Sequence, residues 1–96
     1  MPVYLFCNIE VTDPDQYGEY IALAGAAVAK HGGRYLVRGP DPEVFEGDPG
    51  LKRVAIVKFE SREEALRFWE SPEYREARGK RKGAAIFDAA LLAGHE

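Results

Sequence analysis

Two side chains in this sequence could act as a general base near neutral pH, namely Glu46 and His31. Histidine titrates in that range, although a histidine in the last turn of a helix often serves only as a favourable charge there. Glu46 lies in a segment predicted to be extended, Val44–Glu46, between strands that carry Arg34 and Arg53. A Glu46–arginine pair could line a pocket, and a purely structural ion pair would use the same residues.

A second group with chemical potential is a run of cations near the predicted end of the last helix. Its members are Arg75, Arg78, Lys80, Arg81 and Lys82, diluted by Glu73 and Glu76. Such a run is typical of a solvated helix end, where cations complement the helix dipole. If Arg78 or Arg81 turned inward instead, its guanidinium could hold an anionic ligand between helices and sheet.

Aromatic residues at helical spacing form the third group, and they are typical of a buried core: Tyr17, Tyr20, Phe68, Trp69 and Tyr74. Tyr20, Trp69 and Tyr74 also carry polar tips that need hydrogen-bond partners when buried, so these three could line a cavity. Cys7 lies in the middle of a predicted strand, where packing is the default role of a thiol.

Several kinds of site are excluded by missing motifs. The sequence has no C-x-x-C or H-x-x-x-H pattern, and its single cysteine excludes a ferredoxin-type cluster. Neither G-x-G-x-x-G nor G-x-x-x-x-G-K occurs. The third-strand run 52–59 lacks the aromatic pair of an RNA-recognition motif, and the net charge is −3. We therefore expect no metal, no cofactor and no nucleic acid.

Composition indicates one folded domain over residues 1–96, with 46% hydrophobic and 30% charged residues. The start of the sequence has no basic leader, and the longest apolar stretch is too short for a bilayer, so we expect neither a signal peptide nor a membrane span. The lone cysteine is typical of a reducing compartment and predicts a cytoplasmic protein. Scarcity of Asn and Gln suits a heat-adapted protein or, equally, a GC-rich genome.

Periodicity and capping residues predict the elements that must position these side chains. Two helix starts stand out: Asp13 before Pro14, and the capping box that begins at Ser61. Ser71-Pro72 should restart a short helix, and Gly32-Gly33 should stop the first one. The predicted strands are Val3–Val11, Arg34–Arg38, Arg53–Phe59 and Ala84–Leu92.

The predicted order β-α-β-β-α-β is typical of an α+β, ferredoxin-like fold: an antiparallel sheet with the helices on one side. The long strands are nevertheless apolar on both faces. A monomer would therefore expose an apolar sheet face larger than soluble proteins usually tolerate. We expect a two-fold homodimer that buries this face against its own copy.

The motif order resembles a known family. Thr12-Asp13-Pro14, Gly32-Gly33-Arg34-Tyr35, Phe45-Glu46-Gly47, Phe68-Trp69 and Ser71-Pro72-Glu73-Tyr74 with Arg81 resemble the family called domain of unknown function 1330. That resemblance implies a dimeric α+β barrel whose relatives often hold a small organic molecule between helices and sheet, sometimes without a cofactor. It implies ligand-binding roles for Arg34, Glu46, Arg53, Ser71, Tyr74 and Arg81.

Two functional hypotheses follow. In the first, a homodimer binds a small organic acid or aromatic molecule in a cleft of each subunit, with Glu46 or His31 as base if cofactor-independent monooxygenase- or isomerase-like chemistry occurs. In the second, the protein is a non-catalytic structural or interaction module. The second hypothesis predicts that Glu46 is fully paired with arginines and that no enclosed cavity exists.

Overall fold

The computed structural model describes residues 1–95 and contains four strands and three helices. In chain order these are β1 (Val3–Val11), α1 (Pro14–Lys30), β2 (Arg34–Pro40), β3 (Arg53–Phe59), α2 (Arg62–Glu70), α3 (Pro72–Arg81) and β4 (Ala85–Ala93). The strands form one antiparallel sheet in the order β2-β3-β1-β4. The predicted ferredoxin-like α+β architecture is confirmed.

The helix boundaries follow from the capping residues. Asp13 accepts a hydrogen bond from the backbone N–H of Gln16, and Pro14 occupies the first turn of α1. At the α2–α3 junction the buried Ser71 hydroxyl donates to the Phe68 carbonyl (2.7 Å) and accepts from the Tyr74 N–H (3.1 Å). Ser71 thus ends one helix and begins the next, as the sequence predicts.

The core lies between the helices and one face of the sheet. Alternate residues of β1 point into it, and each is less than a tenth exposed: Val3, Leu5, Cys7 and Ile9. Phe59, Phe68 and Tyr74 are its largest fully buried side chains. Their rings stack in sequence, with centroids 5.1 Å apart for Phe59–Phe68 and 4.3 Å apart for Phe68–Tyr74.

The opposite face of the sheet, here called the open face, has no helix over it. Tyr4, Phe6 and Asn8 of β1 lie on it, because they alternate with the buried residues. Ile56 of β3 and Ala90 of β4 flank Phe6 in register. The Cα atoms span only 15 Å along the shortest axis, which is the thickness of one sheet and one helix layer. The chain as it stands therefore exposes a largely apolar sheet face.

Strand β2 differs from its prediction. It continues to Pro40 rather than ending at Arg38, and its pairing with β3 shifts between Tyr35 and Val37. This β-bulge inserts one extra residue, which reverses the side-chain alternation beyond it. Arg38 consequently lies on the helix side of the sheet, whereas Arg34 lies on the open face beside Lys58.

Candidate functional site

A small cavity of about 50 Å³ lies between α1, α3 and the sheet. Its apolar wall comes from β1, β3 and α1, and includes Leu5, Ile9, Ala24 and Val57. Its polar wall consists of one thiol, four phenols and two guanidinium groups: Cys7, Tyr17, Tyr20, Tyr35, Tyr74, Arg38 and Arg53. Among residues 1–95 no carboxylate lines this cavity, so its charge is positive.

The two arginines lie on neighbouring strands, at the end of the sheet where β2 ends and β3 begins. Arg38 pairs in register with Ala55, and Arg53 pairs with Pro40 and with Ile9. The Arg38 guanidinium lies 4.8 Å from the centre of the Tyr35 ring. Neither arginine has a carboxylate within salt-bridge distance in the described part of the chain. Two guanidinium groups without a counter-ion suit an anion, since each can donate paired hydrogen bonds to a carboxylate.

Deeper in the cavity two phenols form a buried pair. The hydroxyl groups of Tyr20 and Tyr74 lie 2.8 Å apart, and either can donate to the other. Burial, the largest cause, raises the pKa of both phenols, and their mutual interaction raises that of Tyr20 further. Burial also raises the pKa of Tyr17 to about 12 and that of Cys7 to about 11. At neutral pH these groups keep their protons and can donate them in hydrogen bonds.

These shifts predict a loss of stability at alkaline pH. Unfolding returns the Tyr20, Tyr74 and Cys7 side chains to water, where they ionise near pH 10, 10 and 9. Above those values the unfolded state binds fewer protons than the folded state, so the free energy of unfolding should fall as pH rises.

Thermal melts at about pH 8, 9.5 and 11, with tyrosinate absorbance followed in parallel, measure this effect. We expect cavity phenols to ionise together with unfolding rather than before it. In Cys7→Ala the part of the fall in melting temperature that begins near pH 9 should disappear. A melting temperature that stays constant to pH 11 would show that the cavity phenols titrate freely in the folded protein.

A sequence profile of the family "Domain of unknown function (DUF1330)" matches residues 2–95. The chain belongs to the DUF1330 family. The resemblance noted from its motifs is thereby confirmed over nearly its whole length. Among curated protein sequences, none matches this DUF1330 protein significantly.

Several solved structures are similar to the DUF1330 protein. RPA0582, described as a protein of unknown function from Rhodopseudomonas palustris, is 21% identical with a TM-score of 0.75 over 99% of this chain and 83% of that chain. SnoaB, a cofactor-independent oxygenase from Streptomyces nogalater, is 14% identical with a TM-score of 0.72, covering 99% and 94%. A protein from Jannaschia sp. CCS1 is 12% identical with a TM-score of 0.76, covering 98% and 100%.

The Jannaschia structure is described as a dimeric ferredoxin-like protein of unknown function. A similar protein from Bacteroides fragilis is also described as dimeric with a ferredoxin-like fold. At identities of 21% or less, these likenesses establish the fold of the DUF1330 protein and nothing about its chemistry.

The structure places only two of the six predicted ligand-binding residues, Arg53 and Tyr74, in the cavity wall. Arg34 lies on the open face, and the Ser71 hydroxyl is occupied by backbone groups at the helix junction. Arg81 does turn inward, with its guanidinium 3.9 Å from the centre of the Phe87 ring, but it does not line the cavity. Arg78 turns inward as well and donates to the Trp69 carbonyl (3.1 Å).

Both candidate bases lie outside the cavity. Glu46 is exposed on the loop between β2 and β3, and within residues 1–95 it forms no ion pair with Arg34 or Arg53. His31 ends α1, and its Nε2 lies 2.8 Å from Glu73 Oε1, while Lys30 lies 3.2 Å from the same carboxylate. These two partners hold the pKa of Glu73 below its ordinary value. His31 therefore ties α1 to α3.

Arg38 is the cavity residue that the sequence analysis missed. Simple alternation from Arg34 puts Arg38 on the same face as Arg34, which is the open face. Only the bulge between Tyr35 and Val37 brings it round to the cavity. The sequence gives no local signal for the bulge, because a bulge needs no glycine and nothing in Leu36-Val37 indicates one.

Two features are absent from the part of the chain that the structure describes. Within residues 1–95 no three His, Cys, Asp or Glu side chains come close enough together to hold a metal ion. None of the helices in that range has the length and apolar character that crossing a bilayer requires.

Proposed function

We propose that this DUF1330 protein is a homodimer that binds a small organic acid in the cavity of each subunit. The carboxylate of the ligand would lie between the guanidinium groups of Arg38 and Arg53. The observation that carries this proposal is a cavity wall that holds two arginines without counter-ions. The same wall is rich in protonated hydrogen-bond donors. Such a wall favours an anion over a neutral or cationic ligand.

The size of the cavity favours an aliphatic acid over an aromatic one. A buried site needs roughly 10–15 Å³ of this kind of volume for each water-sized group. The available 50 Å³ therefore accommodates about three to five non-hydrogen atoms. Acetate and propionate fit that limit, whereas a benzene ring fills a cavity of about 150 Å³.

Binding is better supported than catalysis. Proton abstraction needs a group that is ionised as a base near neutral pH. The thiol and the phenols of the cavity keep their protons there, because burial raises their pKa values. The candidates Glu46 and His31 lie outside the cavity. The oxygenase activity of SnoaB thus has no counterpart that we can assign to named residues here.

The second hypothesis, a purely structural module, has less support within a single subunit. It requires Glu46 to be fully paired with arginines, and within one subunit Glu46 is exposed and forms no ion pair among residues 1–95, so only pairing across subunits would meet this requirement. It also requires that no enclosed cavity exist, and a cavity that is partly open to solvent lies beside Arg53. The small-molecule hypothesis is therefore the one that the side-chain arrangement favours.

Dimerisation through the open face completes the proposal. Ile86 and Leu92 of β4 are 59% and 50% exposed on that face, and Phe6 and Ile56 lie at its centre. Burial of such a surface is favourable at roughly 25 cal/mol per Å². Similar structures described as dimeric support a dimer. We place this dimer in the cytoplasm, where the single buried thiol of Cys7 stays reduced.

A thermal-shift comparison of acids with their uncharged amides tests the binding site. Acetate and propionate at about 10 mM should raise the melting temperature by several degrees, since ligand at ten times its dissociation constant adds about 1.4 kcal/mol. Acetamide and propionamide should have no effect. In Arg38→Gln and Arg53→Gln the acid shift should disappear.

Arg67→Gln, which removes an exposed cation from α2, is the matched control and should keep the full shift. Equal shifts for acid and amide, or an unchanged acid shift in both cavity variants, would remove the arginine pair from the site.

A further inference from the structure

The loop between β2 and β3 has features that the folded monomer does not explain. This loop, residues 41–52, is here called the arm. Phe45 at its tip is 93% exposed, and its neighbour Val44 is 45% exposed. An aromatic side chain held almost wholly in water contributes nothing to the stability of its own subunit. Its position is explained if another surface covers it.

The base of the arm is fixed on the open-face side of the sheet. Asn8, which lies on the open face of β1, donates from Nδ2 to the Gly50 carbonyl (3.0 Å). The same side chain accepts through Oδ1 from the Lys52 N–H (2.8 Å). These two bonds draw the returning end of the arm onto the face where the dimer partner is proposed to lie.

The two ends of the open face carry opposite charges. The arm is acidic, with Asp41, Glu43, Glu46 and Asp48 against the single cation Lys52. At the opposite end of the same face, Arg34 of β2 and Lys58 of β3 form a cross-strand pair of like charge. None of the arm carboxylates, Arg34 or Lys58 takes part in an ion pair within residues 1–95.

This charge pattern selects one of two simple dimer arrangements. A two-fold axis parallel to the strands places the two acidic arm ends at the same end of the dimer. An axis perpendicular to the strands, lying between the two open faces, places the arm of one copy over the Arg34–Lys58 end of the other. Opposite potentials then meet, which favours association.

The area of the sheet points the same way. Four strands about 4.8 Å apart and about seven residues long give a projected face of about 400 Å². A stable interface usually buries about 800 Å² of accessible surface on each partner, and accessible surface exceeds projected area because side chains stand out from the sheet. The arm is continuous with the open face and enlarges the surface that a second copy can cover.

We propose that the arm of each subunit crosses to the other copy of this chain, so that Glu46 pairs with the partner's Arg34 and Phe45 is buried between the subunits. The inference rests on the proposed homodimer and adds its orientation. It also gives Glu46 and Arg34 a shared role as an ion pair between chains rather than within one.

Mixing two charge-reversal variants tests this proposal. In the homodimers of Glu46→Lys and of Arg34→Glu, both symmetry-related contacts join like charges, so each should dissociate about tenfold more readily than the wild type. In the heterodimer of the two variants, both contacts join opposite charges. Sedimentation velocity at low ionic strength, with a dye on the N-terminal amine of one variant, measures all three affinities.

We expect the heterodimer to form with an affinity within about threefold of the wild type. Glu19→Lys, an equal charge change on the exposed side of α1, should dimerise as the wild type does. A dimeric wild type whose mixed variants associate no more tightly than each variant alone would overturn the arm exchange and leave the homodimer standing. Equal weakening in Glu19→Lys would also overturn it, and a monomeric wild type would overturn both proposals.

Discussion

Replacing Phe68 with alanine should lower the free energy of unfolding by about 3–5 kcal/mol, the usual cost of deleting a large buried aromatic side chain. Phe68 is 1% exposed, and its ring joins Phe59 to Tyr74 at centroid distances of 5.1 Å and 4.3 Å. The void left behind would lie beside the proposed ligand site, because Phe68 and Tyr74 both line the wall of that cavity. Acid binding should therefore weaken as well.

Urea unfolding at one fixed protein concentration measures the effect, since the stability of a dimer depends on concentration. Leu66→Ala is the matched control, because Leu66 lies on the same helix and is 39% exposed. It should cost less than about 1 kcal/mol. A loss below that value in Phe68→Ala as well would mean that the aromatic stack is not the centre of the core.

The second large effect concerns assembly. Glu in place of Phe6 puts a carboxylate at the centre of the open face, between Ile56 and Ala90. Burying an unpaired charge in an apolar interface costs several kcal/mol, so the dimer should dissociate at least about a hundredfold more readily. Sedimentation equilibrium at micromolar concentration measures this change.

Leu66→Glu supplies the control for charge alone, since Leu66 lies on the helix side of the molecule. It should leave the dimer intact. If Phe6→Glu dimerises as tightly as the wild type, the subunits associate through a different surface.

The sequence predicts most of the fold because local signals and the hydrophobic pattern agree along it. Strands β1 and β3 have the predicted bounds, since each is a run rich in β-branched and aromatic residues that stops at a turn or a helix cap. Asp13 and Ser61 are the predicted caps. β4 begins and ends one residue later than predicted, which is the usual uncertainty of a strand end.

The candidate site is harder to predict, and Arg38 and Glu46 show why. The face that Arg38 occupies depends on a bulge in β2, and that bulge arises from pairing with β3 rather than from residues next to Arg38. The place of Glu46 depends on the arm. The base of the arm is held by Asn8, which is more than 40 residues away in the sequence from its partners Gly50 and Lys52. Spacing along the chain carries no information about either contact.

Residues with a purely structural role can resemble ligand-binding residues in a sequence. Ser71 caps two helices, His31 bridges to Glu73, and Arg81 packs over Phe87. Each is a polar side chain at a helix end, and residue type alone does not distinguish this role from ligand binding. Distances to the cavity, rather than residue type, separate the two roles.

A crystal structure of the protein grown with acetate or propionate, whichever gives the larger thermal shift, tests the central claim most directly. The account predicts density for the acid in the cavity of each subunit, with its carboxylate oxygens about 2.7–2.9 Å from the guanidinium nitrogens of Arg38 and Arg53. It is contradicted if the acid occupies another surface, or if the cavity holds only water while both guanidinium groups point into solvent.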